Sequence, residues 1–275
     1  METYSYSKLE TFHQCKFQYY CTYVLGVKSP DNIYSLMGTT THDIFESLQE
    51  RKITKGEALE KFENDLEINK LLNFKFPNEK VETNYVNSII NAIKSFEPIH
   101  TIDKVEVEKE VNFEINGHKM RGYIDLITYN IDGTVNVYDF KTSSKYSKSD
   151  LPKKARQLIL YGIALEQLGY KVNMLAWDML KYATVAGSRK PKTELRANLT
   201  LEPNEPCFVT YPFNETTRQE TIEWVTNTIE EIESMDDLFA EWKQDCESDF
   251  FCTTLCGNDR CPRLQRLKNN YFNKH

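Results

Sequence analysis

Residues 121–141 read Arg121-Gly-Tyr-Ile-Asp125-Leu-Ile-Thr-Tyr129, then Asn-Ile-Asp-Gly133, then Thr134-Val-Asn-Val-Tyr-Asp139-Phe-Lys141. Two alternating, β-branched and aromatic runs flank an Asp-Gly turn signal, which predicts a β-hairpin. Side chains two apart in a strand share a face. Val135, Val137, Asp139 and Lys141 therefore point one way, and Asn136, Tyr138 and Phe140 the other. On the first strand Tyr123, Asp125 and Ile127 share a face. Directly opposed residues of an antiparallel pair also share a face. Placing Asp125 opposite Asp139 needs a loop of three or five residues, or a bulge, because a two-residue turn would set Asp125 against Phe140. The expectation is such a loop, with Gly133 left-handed. Two carboxylates and an ammonium at one spot would suit a hard cation, Mg²⁺ or Mn²⁺. An isolated Asp-X-Lys is more commonly a salt bridge at a strand end, so the rest of the chain must decide.

Upstream, Ser7-Lys-Leu-Glu10 has a capping-box pattern and opens a helix that carries Cys15 and Cys21. Residues 24–37 read as a loop, and a helix over 37–48 is expected to be capped by threonines, with His42 in its first turn and Glu46 on the same face. Thr54–Glu57 caps a helix to about Leu72, and Val81, Tyr85, Ile89, Ile93 and Phe96 recur at helical spacing until Pro98. Residues 103–115 alternate as a strand with Glu106, Glu108 and Glu110 on one face, and Asn116-Gly117 turns it into the central hairpin. Downstream, a helix over 153–168 ends at Gly169, strands are expected over 172–183 and 207–213, and a long helix over 215–243. Interspersed strands and helices, without a repeat or low-complexity linker, predict an α/β fold with a mixed central β-sheet flanked by helices.

The chain has 275 residues, ordinary apolar (40%) and charged (27%) fractions, and no apolar run of membrane-spanning length. Its N-terminus lacks a basic-then-apolar leader, so a cytoplasmic, membrane-free protein is expected. A net charge of −7 argues against non-specific nucleic-acid binding. Basic residues nonetheless run away from the hairpin as Lys141, Lys145, Lys148, Lys153, Lys154 and Arg156, with further groups at Arg189, Lys190, Lys192 and Arg196 and at Arg260, Arg263, Arg266 and Lys268. There are seven cysteines, of which Cys246, Cys252, Cys256 and Cys261 crowd the C-terminus. An odd number in a reducing compartment favours metal ligation over disulfides.

Taken together, Gly38…His42, Gly122-Tyr-Ile-Asp125, Asp139-Phe-Lys141 and Gln157…Tyr161 resemble, in order and spacing, the RecB-like branch of the PD-(D/E)XK nuclease superfamily. The resemblance covers Tyr4 to about Pro262, including an opening helix with Cys15, and is similar to the iron–sulfur CRISPR-associated adaptation exonucleases and AddB-type nuclease domains. It implies a restriction-endonuclease-like core in a single domain: a helical insertion over 38–100, a catalytic sheet over 101–213, and a clamp of 246–262 with Cys15. It implies a metal held by His42, Asp125, Asp139 and the Phe140 carbonyl, with Lys141 beside the attacking water. Glu110 is the expected acid before the hairpin. Gln157 and Tyr161 would hold DNA or orient the site, aided by Lys145, Lys153 and Arg156.

The same resemblance implies that Cys15, Cys252, Cys256 and Cys261 hold a [4Fe–4S] cluster, with zinc as the alternative. The spacing here is Cys-x₃-Cys-x₄-Cys, where those relatives typically show Cys-x₂-Cys-x₅-Cys, and Cys21 and Cys246 are spare candidates. The implied function is Mn²⁺- or Mg²⁺-dependent hydrolysis of DNA, from ends or single strands, with a helicase, integrase or recombination partner. The competing reading is a RecB-like module that grips DNA or a partner without cutting. An intact acid, lysine and histidine set argues against it.

Overall fold

In a computed structural model of the chain, residues 2–99, 104–185, 192–199, 205–235, 242–246 and 248–272 are described. The basic residues Arg189 and Lys190, residue 103 of the expected strand and residues 236–241 of the expected long helix lie outside them. In chain order the elements are β1 (Thr3–Tyr4), α1 (Tyr6–Gln14), α2 (Lys16–Tyr19, continued by a π-turn at Tyr20–Val24), α3 (Ile33–Gln49), α4 (Lys55–Leu71) and α5 (Glu79–Ser95). There follow β2 (Lys104–Ile115), β3 (His118–Tyr129), β4 (Thr134–Lys141), α6 (Leu151–Gln167), β5 (Lys171–Val185), β6 (Lys192–Leu195), β7 (Glu205–Tyr211), α7 (Glu215–Ser234) and α8 (Pro262–Phe272).

β3 and β4 are the hairpin read from the sequence, and their antiparallel pairs include Leu126–Tyr138, Ile127–Val137 and Tyr129–Val135. The Asn130 amide donates to the Thr134 carbonyl (2.8 Å), so the loop is the three residues 131–133, and Gly133 is left-handed with φ 79°. β2 joins β3 through a turn whose two residues, Asn116 and Gly117, both have positive φ, as a tight hairpin of this hand requires. β4 pairs in parallel with β5, and β5 pairs antiparallel with β6 and β7, so the sheet is mixed.

The helices cover both faces. Under α3, α4 and α5, Met37, Ile44, Phe45, Phe62, Ile89 and Ile93 pack with Leu126, Tyr138 and Phe140. Under α1, α6 and α7, Leu9, Phe12, Leu158, Val225 and Ile229 pack with Ile124, Ile127, Val135 and Val137. The two faces are not followed evenly along β3. Ile124 belongs to the second core and Leu126 to the first, although residues two apart should share a face. β2 changes face in step, with Val105 and Val107 on one core and Val111 and Phe113 on the other. The change falls at Glu108, whose φ of +48° is left-handed and costs on the order of 1–2 kcal/mol for a residue with a Cβ. Ladder pairs resume on either side at Val107–Leu126 and Lys109–Ile124, which places Glu108 across from Asp125.

Two helices start differently from expectation. α3 begins at Ile33 because Asn32 and Ser35 form a reciprocal capping box, which sets His42 in mid-helix rather than in the first turn. Of the threonines expected as caps, Thr39 and Thr41 instead bond back along the helix, as in Thr41 Oγ1 to the Met37 carbonyl (2.6 Å), and Thr40 donates to Asp65 on α4. α1 begins at Tyr6, with Ser5 rather than Ser7 as its cap, because the Ser5 hydroxyl accepts the Lys8 amide; it ends at Gln14, and Cys15 stands extended (φ −167°) between two helical pieces rather than within one. A third core gathers Cys15, Phe17, Cys21, Cys246, Phe251, Cys252, Cys256, Cys261 and Leu264, joining the two ends of the chain. No helix among the described residues is long and apolar enough to cross a membrane.

Candidate active site

Where β3 changes face, side chains from both helical layers meet. Asp125 reaches from β3, and its Oδ2 accepts the Phe140 amide (2.7 Å) and lies 3.3 Å from His42 Nδ1. His42 and Glu46 stand one helical turn apart on α3. Ligand atoms of His42, Glu46 and Asp125 all lie within 4.8 Å of one another. Next along β4, Asp139 is 1% exposed, with its Oδ2 2.5 Å from Lys141 Nζ. That oxygen has charge contact but no aligned hydrogen-bond donor. Lys141 Nζ donates to Gln157 Oε1 (3.2 Å), and Gln157 Nε2 donates to Tyr161 Oη (3.0 Å), both from α6. Gly122 permits this approach: a Cβ there would sit 2.8 Å from the Tyr161 ring.

The electrostatics follow from burial of unlike and like charges together. Burial raises the Asp139 pKa to about 6, opposed by Lys141 and reinforced by Asp125. Burial would lower Lys141, but Asp139, Tyr146 and Asp125 outweigh it and keep the ammonium charged. Burial also pushes His42 down, and Asp125 beside it more than reverses this. Burial lifts the Glu46 carboxyl to about 7, helped by the charges of Glu108 and Asp125. Glu46 Oε1 is buried without a hydrogen-bond partner. An orphaned oxygen among an imidazole and a second carboxylate is a donor set that fits a small divalent cation.

Sequence reasoning misses Glu46 as a ligand, although its spacing four residues after His42 is the available signal. Glu110 is not brought to this group. Its Oε1 faces Asn112 Nδ2 (3.2 Å) and Arg121 Nη1 (3.8 Å) at an exposed position. The left-handed turn at Glu108 is the physical reason, because it breaks the alternation that would have kept the three glutamates equivalent, and it is Glu108 whose charge acts on Glu46. Glu106 is held by Lys104 and Lys109. Among the expected DNA contacts, Lys145 and Lys153 are exposed. Arg156 lies over the Trp224 ring, 4.5 Å from its centroid, beside Tyr6 and Glu10. A groove of about 280 Å³ runs along Tyr6, Arg121, Tyr123, Gln157 and Tyr161.

Where the two ends of the chain meet, Cys15, Cys246, Cys252, Cys256 and Cys261 line one small cavity, and Cys21 lies in the same core. Cys246, expected only as a spare, contacts the thiol of Cys252. Among the described residues the sole group of three or more candidate ligand atoms within 4.8 Å is that of His42, Glu46 and Asp125.

The sequence profile of the PD-(D/E)XK nuclease superfamily matches residues 3–262. An ATP-dependent helicase/deoxyribonuclease subunit of Streptococcus agalactiae, in strains of serotypes Ia and V, is 34% identical over 165 residues, covering 54% of this chain and 15% of each relative. The chain therefore spans a small part of the length of those relatives. A crystal structure from Eubacterium rectale, of a protein assigned as a candidate exonuclease, superposes with a TM-score of 0.50 at 17% identity, over 84% of this chain and 80% of that one.

Proposed function

Because the chain belongs to the PD-(D/E)XK nuclease superfamily, we propose that it is a divalent-metal-dependent deoxyribonuclease that hydrolyses phosphodiester bonds at single-stranded or frayed DNA ends. The observation that carries this reading is the convergence of His42, Glu46 and Asp125 beside the Asp139–Lys141 pair. His42, Glu46, Asp125 and Asp139, with the Phe140 carbonyl, would hold Mn²⁺ or Mg²⁺. The imidazole favours Mn²⁺. Such an ion, when bound, would screen phosphate charge and acidify a nearby water. Lys141 orients the attacking water and stabilises the negative charge that develops on phosphate oxygens. Gln157 holds the ammonium in line, and Tyr161 holds Gln157. The exposed lysines Lys145 and Lys153 would track the phosphate backbone.

We also assign the thiol-rich core to a [4Fe–4S] cluster on Cys15, Cys252, Cys256 and Cys261, with zinc as the alternative, a reading that the gathering of these thiols around one cavity supports. Its role would be to fasten the chain's ends in a reducing cytoplasm. The helicase named in the streptococcal relatives supports a helicase partner for this chain as well. The helices over residues 38–100 would then be the insertion on a catalytic sheet spanning 101–213.

The test is incubation of labelled single- and double-stranded DNA with Mn²⁺ or Mg²⁺, comparing wild type with Asp139→Ala. Cleavage by wild type alone supports the reading. The competing reading is a module that grips DNA or a partner without catalysis. A retarded band without cleavage in any metal would establish that module instead.

A further inference from the structure

Directly after Lys141 the chain borders a second, larger cleft of about 580 Å³, whose lining includes Tyr34, Tyr85, Thr142, Lys181, Phe250 and Leu255. That volume falls in the range of pockets that take small organic ligands. Three of its walls are aromatic. The Tyr34 ring lies 6.3 Å from that of Tyr85 and 6.5 Å from that of Phe250, at steep interplanar angles, and Phe250 is 53% exposed. Lys181 Nζ stands 5.7 Å from the Tyr85 centroid and, among the described residues, has no carboxylate partner. Among the described residues none that lines the cleft is acidic, in a chain whose net charge is −7. The Tyr85 hydroxyl is buried, faces Thr41 and Thr142, and has no aligned hydrogen-bond partner.

We propose that this cleft is a nucleobase subsite, which takes one unstacked base of the single strand whose backbone passes Lys141. The proposal rests on the nuclease reading above and extends it to how the substrate is gripped. Single-strand binding sites combine cationic side chains with aromatic faces on which bases stack without regard to sequence. Tyr34 and Phe250 supply the faces, and Lys181 supplies the cation. Position argues for this occupant. Thr142 lines the cleft and follows Lys141, so the cleft opens beside the C-terminal end of the strand that carries Asp139 and Lys141, where a single strand would be drawn to the proposed reaction centre. Duplex DNA keeps its bases stacked and would leave the cleft unused, which makes the cleft a device for single strands and frayed ends.

The experiment uses the full-length protein and a series of single-stranded oligonucleotides, each with one abasic position. Wild type is expected to show one position, near the cut, at which losing the base raises KM about tenfold. Phe250→Ala and Tyr34→Ala should raise KM for the intact strand by a similar factor, and in them the same abasic position should cost nothing further. Lys181→Met should weaken single-strand binding and reduce its salt dependence. If wild type cleaves but no abasic position matters, or if its effect persists undiminished in Phe250→Ala, the subsite is refuted while the nuclease reading stands. If wild type does not cleave, the nuclease reading fails, and the same oligonucleotides are compared by fluorescence anisotropy without metal. An abasic effect on Kd that vanishes in Phe250→Ala then upholds the subsite, and its absence overturns it.

Discussion

Glu46→Gln should strengthen the metal-free protein and weaken the metal-loaded one. Burial beside Glu108 and Asp125 lifts the Glu46 carboxyl from 4.5 to about 7. An unfolded chain ionises this group near 4.5, so between there and about pH 7 the folded state holds the extra proton. Wild-type stability therefore falls as pH rises through that window, and the loss is complete above about pH 7. At about 1.36 kcal/mol per pH unit, the ionised carboxylate costs the metal-free fold on the order of 3 kcal/mol at pH 8. Glutamine keeps the shape and removes the charge. The variant should melt roughly 6–12 °C above wild type at about pH 8 and within roughly 1–3 °C of it at about pH 5. Excess Mn²⁺ should raise the wild-type Tm and leave that of the variant nearly unmoved, since a ligand atom is gone. Thermal denaturation followed by circular dichroism, with and without Mn²⁺ at both pH values, reads all of these shifts. A Tm difference that ignores pH, or equal Mn²⁺ shifts in the two proteins, would refute the placement of Glu46 in the cation site.

Lys141→Ala and Asp139→Asn should each lower the single-turnover cleavage rate on the order of 10²- to 10³-fold, and retained activity in Lys141→Ala would remove its role. Gly122→Ala places a Cβ 2.8 Å from the Tyr161 ring; urea unfolding should show a loss of about 1–3 kcal/mol, with slower cleavage as Gln157 loses its support. Protein purified without oxygen should contain iron and sulfide, and Cys15→Ser or Cys252→Ser should lower both together with stability, whereas Cys207→Ser, whose side chain sits in the core under α6 and α7, should leave the iron content unchanged. A preparation with neither iron nor zinc would defeat that assignment.

The central hairpin is legible because parity alone decides it. An odd loop sets Leu126 against Tyr138 and Ile127 against Val137, and Asp-Gly supplies the left-handed residue that such a loop needs. The expected pairing of Asp125 with Asp139 falls beyond that ladder, where β3 changes face, so the place of Asp125 is not legible from parity. The helix bearing His42 is readable as a helix but not in its starting point. Gly38 and three threonines are poor helix formers, so the stretch looks like a beginning, while the true start depends on a reciprocal bond between Asn32 and Ser35. The choice among Glu106, Glu108 and Glu110 is beyond the sequence. It turns on one left-handed residue that carries no glycine or asparagine signal, and on tertiary contact with Glu46. Cys246 is visible as a cysteine near others, but only the path of the chain after α7 shows that it lines the same cavity as Cys15.

The crossing of faces at Asp125 divides the reactive centre between two independently packed layers. His42 and Glu46 ride on the layer of α3, while Gln157 and Tyr161 ride on α6, with β3 and β4 as a common beam. Because Asp125, Asp139 and Lys141 all stand on that beam, a shift of either layer would move His42 and Glu46, or Gln157 and Tyr161, against a fixed trio. On the nuclease reading proposed above, a phosphate held between the cation ligands and Lys141 would therefore be gripped from both layers at once.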